Sequence, residues 1–335
     1  MTETDRNDLE KKKLIIVAGP TAVGKSAAAV QLAKKMRGQV VSADSMQVYR
    51  HMDIGSAKIR PEETEGVPHH LIDCLDPTEE FNVTLFQDMA YKAMDEIYEA
   101  GDIPVIAGGT GFYIQSVLYD IDFKTTEVDT AYRAELEKEG ELRGKEFLHA
   151  KLREVDPASA DAIPAGNMKR VIRALEYYHS TGKQISVHNE EERRKEPAYN
   201  AAFFVLTMPR DILYKRIDLR VDQMMEEGLV DEVRRLMDMG VTENMTSMQG
   251  LGYRQIVHYL QGKTSLDAAV DLIKKETRHF AKRQLTWFRR EKNVIWVDRQ
   301  QFTDNNALCA YLQETAEAVL SGQKIDNMLP EGRNY

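Results

Sequence analysis

Eight consecutive residues have the types and spacing to hold phosphate. Gly19, Pro20, Thr21, Ala22, Val23, Gly24, Lys25 and Ser26 spell Gly-x-x-x-x-Gly-Lys-Ser, the pattern of a phosphate-binding loop. Its chemistry is electrostatic. Glycines let backbone N–H groups turn inward, and a following helix adds partial positive charge at its N-terminus. Lys25 supplies a full charge, and the Ser26 hydroxyl can ligate Mg2+. The pattern indicates two linked phosphates without naming the molecule that carries them. The alternative, a plain glycine turn between strand and helix, leaves the lysine and the hydroxyl unexplained.

The flanking elements fit that chemistry. Leu14 to Val17 read as a short buried strand, and Ala27, Ala28, Ala29, Leu32 and Ala33 are strong helix formers. A second strand begins at Val40 and Val41 and runs into Ser42-Ala43-Asp44-Ser45-Met46-Gln47-Val48-Tyr49. In open parallel α/β sheets the ligand crevice lies at the carboxyl ends of the strands. Asp44 belongs there, as a general base or in the magnesium surroundings. It also fits a helix N-cap or a structural ion pair. A third strand, Ile103 to Ala107, opens into Gly108-Gly109-Thr110-Gly111. That is either a tight turn or a close backbone approach to a ligand. No Asp ends this strand, as it would in a usual nucleotide hydrolase.

Between these strands, His69, His70 and Asp73 lack further metal-ligand spacing, so packing and loop hydrogen bonds are expected. Asn82 or Thr84 starts a helix that runs to Glu99, with an apolar stripe from Val83 to Ile97. From about Phe123 to Glu196 the chain turns highly charged without a buried strand. Residues 123–197 therefore read as an inserted helical lobe, with helices at Asp129–Glu139, Lys145–Glu154 and Asn167–Ser180 and a charged linker, EEERRKEP, at its end. Residues 13–122 and 198–320 form the α/β core, a phosphate-loop type of parallel sheet flanked by helices. Its fourth strand is Ala201–Thr207. Asp211 is expected to cap the next helix, where Arg216 and Arg220 lie one turn apart. They can reach the phosphates or pair with Asp218, Asp222 or Glu226. Gly250-Leu251-Gly252-Tyr253-Arg254 reads as a turn with an exposed aromatic. Ile295 to Val297 form a last strand and Asn305 to Leu320 a last helix. Residues 1–12 and 322–335 are expected to be flexible.

Charge is unevenly distributed. The 335-residue chain carries a net charge of −9, yet Lys274 to Lys292 holds eight basic residues against Glu276 and Glu291. At helical spacing Ile273, Phe280, Ala281 and Phe288 point one way, while Lys275, Arg278, Lys282 and Arg289 point the other. The helix is a solvated face or a phosphate-tracking surface with Trp287 beside it. Hydrophobic content of 42% and charged content of 30% describe a soluble globular protein. Two distant cysteines, Cys74 and Cys309, exclude a disulfide framework and suit a reducing cytosol. No leader or membrane span is expected.

The motifs GPTAVGKS, SADSMQVYRHMDIGSAK, PHHLID, VIAGGTGFYI, GLGYRQ and AKRQLTWFRR occur in that order. Together they resemble the tRNA dimethylallyltransferases, also called tRNA isopentenyltransferases, from about Leu14 to Asp298. The absence of a zinc finger makes the resemblance one to the bacterial type. The resemblance implies transfer of a dimethylallyl group from dimethylallyl diphosphate to N6 of the adenosine 3′-adjacent to the anticodon, in tRNAs that read U-initial codons. Pyrophosphate leaves. Gly19 to Ser26 would hold the diphosphate, with Thr21 and Lys25 nearest the transferred group and Ser26 holding Mg2+, the one cofactor implied. Asp44 would accept the amine proton, Thr110 would stand at the reaction centre, and Arg220 would reach the pyrophosphate. Ser45, Met46 and Gln47 would surround the target base. The remaining tRNA contacts would be Arg133; Lys169, Arg170, Val171, Ile172 and Arg173; Gln249, Gly250, Leu251, Gly252, Tyr253 and Arg254; and Lys282, Arg283, Gln284, Leu285, Thr286, Trp287, Phe288 and Arg289. A cytoplasmic monomer that grips an anticodon stem-loop, without membrane contact, is the expected setting. A small-molecule kinase using the same loop and a non-catalytic RNA-binding module are the alternatives.

Overall fold

A computed structural model describes residues 11–123, 130–323 and 325. The expected flexible ends lie largely outside these residues. The first strand, β1 (Lys13–Ala18), is buried at every position from Leu14 onward. Unbroken apolar runs of this kind mark strands covered on both faces. The phosphate-loop pattern follows, and then helix α1 (Lys25–Met36). Strand β2 (Gly38–Ala43) precedes a two-residue edge strand, β3 (His69–His70). The paired histidines thus serve the sheet edge. His69 bonds the Val67 carbonyl and His70 bonds Gln39, and the described residues contain no metal-holding cluster. Helix α2 (Val83–Glu99) is capped by Asn82, whose side chain accepts from the Leu85 amide. Strand β4 (Ile103–Gly108) leads into α3 (Gly111–Leu118).

The chain divides into two compact units, residues 119–197 and the remainder. The smaller unit begins at Tyr119, ahead of the expected boundary at Phe123. It contains α4 (Thr130–Arg143), α5 (Lys145–Val155), α6 (Pro157–Ala162), α7 (Met168–Thr181) and α8 (Ile185–Arg194). Asp129, the expected start of α4, lies outside the described residues. The segment read as a charged linker is largely the helix α8. It buries no residue, so it lacks the apolar stripe by which a helix shows itself in sequence. Leu136, Leu148, Leu152, Val171 and Leu175 form the core of this unit.

The larger unit resumes with β5 (Asn200–Thr207), then α9 (Arg210–Glu226), α10 (Leu229–Asp238), α11 (Tyr253–Leu260), α12 (Leu266–Phe288), β6 (Ile295–Asp298) and α13 (Asn305–Leu320). Pro209, not Asp211, occupies the N-cap of α9, and Asp211 sits in its first turn. All strand pairings are parallel, in the order β3-β2-β4-β1-β5-β6. Tyr49, Phe81, Phe86 and Tyr113 pack into one aromatic cluster, with Phe86 stacked on Tyr113 at 4.4 Å. The cluster fixes the chain just beyond β2. No helix among the described residues is long and apolar enough to cross a membrane.

Asp156 joins two helices of the smaller unit. Fully buried, it accepts from the Ser159 amide at the start of α6 and from the Ser186 amide at the start of α8, and from both serine hydroxyls. Burial pushes its carboxyl pKa up, but the Ser186 and Ser159 bonds outweigh that and hold it below the usual carboxylate range. A depressed carboxylate contributes stability above its unfolded pKa and loses it as the pH falls. Asp156→Ala should cost about 1.5–3 kcal/mol, the range for bonds to a charged group. Urea unfolding at neutral pH measures that loss, and the gap between variant and wild type should narrow in acid.

Candidate active site

Strand register brings the chemistry to one level. Ala18 of β1 lies opposite Gly108 of β4, and Gly108 lies opposite Ala43 of β2. The next residues, Gly19, Gly109 and Asp44, therefore leave three adjacent strands at the same height on the carboxyl edge. Close approach is what the glycines serve. A Cβ on Gly108 would lie 2.3 Å from the Ala43 carbonyl oxygen, and one on Gly109 would lie 2.2 Å from Nε2 of Gln284.

The phosphate loop turns through left-handed backbone at Gly19 (φ 142°), Ala22 (φ 63°) and Gly24 (φ 91°). Three of its carbonyls are held by cations. Lys25 Nζ donates to Pro20 O at 2.9 Å, Arg216 Nε to Ala22 O at 2.9 Å, and Arg299 Nη1 to Val23 O at 2.7 Å. The Thr21 amide donates to Gln284 Oε1 at 2.8 Å, and Gln284 Nε2 donates to Gly109 O at 3.0 Å. Gln284 thus ties the loop to the glycine turn that carries Thr110. It is buried, so its place among the expected tRNA contacts is corrected to an internal brace. Arg299 belongs to none of the sequence motifs. Its only signal there is a basic residue directly after the last strand.

Asp44 Oδ1 accepts from the Met46 amide at 2.9 Å, a local turn that orients the carboxylate. Asp44 is partly exposed and faces two cations. Burial pulls the Lys25 ammonium down to about 8, Asp44 opposes that shift, and Arg220 adds to it. Burial likewise lowers Arg220, against the pull of Asp44 and Glu63. Of the two helix arginines, Arg216 grips the loop backbone, while Arg220 joins the Asp44–Lys25 group and reaches Ala57 O at 3.4 Å. Of the three carboxylates within reach on the same helix, Asp218 pairs with Arg278 and Asp222 with Lys274. Thr110 stands at the entry to α3, its carbonyl accepting from the Tyr113 amide at 2.9 Å. Ser26 is exposed in the first turn of α1.

The expected RNA-contacting segments divide by burial. Tyr253 is fully buried, against the expectation of an exposed aromatic, and its hydroxyl donates to Glu232 at 2.9 Å. Gly250 and Gly252 are buried with it, whereas Gln249 and Arg254 are exposed and Leu251 is half-buried. Leu285 and Phe288 belong to the core, as do Val171 and Ile172 in the helical unit. Lys169, Arg170, Lys282, Arg283, Thr286 and Arg289 are exposed, and Arg173 is half-buried. Arg133 makes a bidentate pair with the buried Glu176 at 2.8 and 2.7 Å. On α12, His279, Lys282, Arg283, Thr286, Trp287 and Arg290 line an open cleft of about 390 Å³. The Trp287 indole N–H is buried there without a hydrogen-bond partner.

A family model described as IPP transferase matches residues 47–291, and one described as isopentenyl transferase matches residues 12–77. The chain belongs to the IPP transferase family. It is 54% identical over 295 residues to a tRNA dimethylallyltransferase of Lachnoclostridium phytofermentans, covering 88% of this chain and 94% of that one. Identity to a tRNA dimethylallyltransferase of Carboxydothermus hydrogenoformans is 48%, covering 95% and 99%. Among solved structures, the full-length tRNA isopentenylpyrophosphate transferase of Bacillus halodurans matches with a TM-score of 0.68 at 43% identity, covering 92% and 98%. A eukaryotic dimethylallyltransferase acting on tRNA matches with a TM-score of 0.80 at 29% identity, covering 94% and 81%. These relatives support neither the kinase nor the non-catalytic alternative.

For this IPP transferase the Lys25 environment has a pH consequence. Its ammonium, shifted down to about 8, loses charge as the pH rises through that value. Affinity for an anion in the loop falls with it. Pyrophosphate affinity should therefore weaken above pH 8, and binding there should take up a proton. Lys25→Arg, always charged, should lose that component. Titration calorimetry in two buffers of different ionisation enthalpy, on either side of pH 8, measures both effects.

Proposed function

We propose that this prenyl-transferring enzyme moves the dimethylallyl group of dimethylallyl diphosphate to N6 of the adenosine 3′-adjacent to the anticodon, in tRNAs that read U-initial codons. The observation that carries the reading is the strand register. It sets Asp44, the phosphate loop and Thr110 at one level of the sheet edge. Donor and acceptor groups can then meet over three adjacent loops.

Asp44 removes the proton from the adenine amine as nitrogen attacks the allylic carbon and the carbon–oxygen bond to the diphosphate breaks. The amine is a poor nucleophile because its lone pair is delocalised into the ring, so a carboxylate within hydrogen-bond reach matters. Thr110 stands beside the reacting groups, and Ser45, Met46 and Gln47 form the wall of the base pocket. Loop N–H groups, Lys25 and Arg220 stabilise the departing pyrophosphate by preorganised charge. A base inside an RNA loop must be turned out to reach them.

The donor set suits magnesium. Ser26 offers an exposed hard oxygen, and the described residues hold no cluster of three His, Cys, Asp or Glu side chains for a metal cage. Mg2+ is commonly held by few protein ligands with water and substrate phosphate oxygens. Ser26 with the diphosphate would hold it, and the bound ion would supply charge neutralisation on the leaving group. The exposed cations of α12 serve the tRNA backbone. A monomer in the cytoplasm is the setting that accords with these features.

Mass spectrometry of tRNA nucleosides after incubation with labelled dimethylallyl diphosphate tests the whole reading. The labelled five-carbon addition should appear on adenosine, and its absence would defeat the reading. Asp44→Ala should lower kcat on the order of 10²–10⁴-fold, while tRNA binding persists; an unchanged kcat removes Asp44 as the base. Neutralising Lys282 and Arg283 together should weaken tRNA binding and reduce the slope of log affinity against log salt by roughly 1.4–1.8 for two phosphate contacts. A filter-binding series over salt concentration reads that slope, and an unchanged value would return this part of α12 to a merely solvated face.

A further inference from the structure

Glu232, on α10, is a charged group buried at a place the reaction does not explain. It is 2% exposed. Its carboxylate accepts from three consecutive backbone amides, Asp53 at 2.9 Å, Ile54 at 2.8 Å and Gly55 at 3.0 Å, and from the Tyr253 hydroxyl at 2.9 Å. Burying a carboxylate is costly, and an apolar side chain fills such a space more cheaply. The four donors compensate the charge, and three of them order one stretch of backbone. That stretch turns back through left-handed backbone at Ala57 (φ 49°). The Ala57 carbonyl then accepts from two side chains, Gln47 Nε2 at 3.2 Å and Arg220 Nη2 at 3.4 Å. Gln47 belongs to the base-pocket strip, and Arg220 to the group around Lys25 and Asp44.

We propose that Glu232 is a positioning residue that couples the two substrates' sites. By clamping the 53–57 loop it sets the Ala57 carbonyl, and that carbonyl holds Gln47 and Arg220 in fixed relation. The inference rests on the function proposed above for those two side chains. Tyr253 is the second half of the clamp. A Cβ on Gly55 would approach its ring at 2.5 Å, so ring and loop backbone are in close contact while the hydroxyl bonds Glu232. The buried tyrosine of the GLGYRQ motif thus serves the acceptor strip from behind rather than touching RNA.

Pyrophosphate binding by calorimetry and unmodified-tRNA binding by filter assay, both well below the melting temperature, test the coupling. Glu232→Gln keeps the shape but presents an amide N–H to donors. It should weaken both affinities, each by about tenfold, and lower kcat/KM by roughly 10–100-fold, the scale on which small displacements of catalytic groups act. Arg220→Met should weaken pyrophosphate alone. The double variant should bind pyrophosphate no more weakly than Arg220→Met. Leu236→Ala, a buried change on the same helix, lowers stability by another route and should leave both affinities unchanged. Should Glu232→Gln not fold, Tyr253→Phe removes one bond to the same carboxylate and should shift both affinities about two- to fivefold in the same direction.

Unchanged affinities in the folded variant overturn the proposal, as does additivity with Arg220→Met. If Arg220→Met itself leaves pyrophosphate binding intact, the assignment of Arg220 to the diphosphate has failed, and the coupling fails with it.

Discussion

A loop can aim its amides at an anion only if its carbonyls face something else. Here Pro20, Ala22 and Val23 each give a carbonyl to a cation, from Lys25, Arg216 and Arg299 respectively. The interaction is charge-assisted and partly buried, which strengthens it relative to a bond in water. It fixes the loop before substrate arrives, so reorganisation is not required as charge develops on the leaving group. The same cations carry positive potential to the back of the loop. Lys25 answers to a second set of groups: burial pulls its ammonium down, Arg220 adds to that shift, and Asp44 opposes it. Donor binding and the base are therefore electrostatically linked.

The local parts of this arrangement are legible in sequence because their determinants are local. The apolar run of β1, the glycine spacing and the alanine-rich start of α1 sit within a few residues of one another. The final helix, Asn305–Leu320, is marked by its own periodicity and capped by Asp304. What sequence does not show is which side chain crosses the fold to complete a loop. Gln284 reaches Thr21 from 263 positions away, and Arg299 reaches Val23 from 276. Neither contact leaves a periodic or compositional trace. Tyr253 is a different kind of case. Two glycines just before an aromatic suggest a turn exposed to solvent, yet here the segment is closely packed, with Gly250 against Met46 and the tyrosine ring against Gly55. Small residues report closeness without saying to what.

Burial also reapportions the basic helix. By composition, Lys274 to Lys292 is one positive segment. In the fold its first part is spent on α9, where Lys274 pairs with Asp222 and Arg278 with Asp218. These are partly exposed pairs, of the kind that contributes little to stability. Their effect is to cancel charge locally and to orient α12 along α9. Lys282 and Arg283, further along, remain exposed beside the cleft that Trp287 lines. Lys282 and Arg283 are thus among the exposed cations of this helix that α9 does not neutralise.

One turn of α12 therefore faces in two directions. Lys282 and Arg283 point to solvent, while Gln284, the next residue, is buried between Thr21 and Gly109. Trp287 lies against Gly111, where a Cβ would come within 2.1 Å of the indole, and Phe288 packs on Phe203 of β5 at 6.3 Å between ring centres. The spacing is what an amphipathic helix requires, but its inward residues do more than fill the core. Gln284 braces the phosphate loop against the glycine turn that carries Thr110, and Trp287 packs on the far end of that turn. A rigid helix that carries an outward cationic surface and an inward amide brace keeps those two features at a fixed distance. The precision of a site assembled from three strand ends depends on such support.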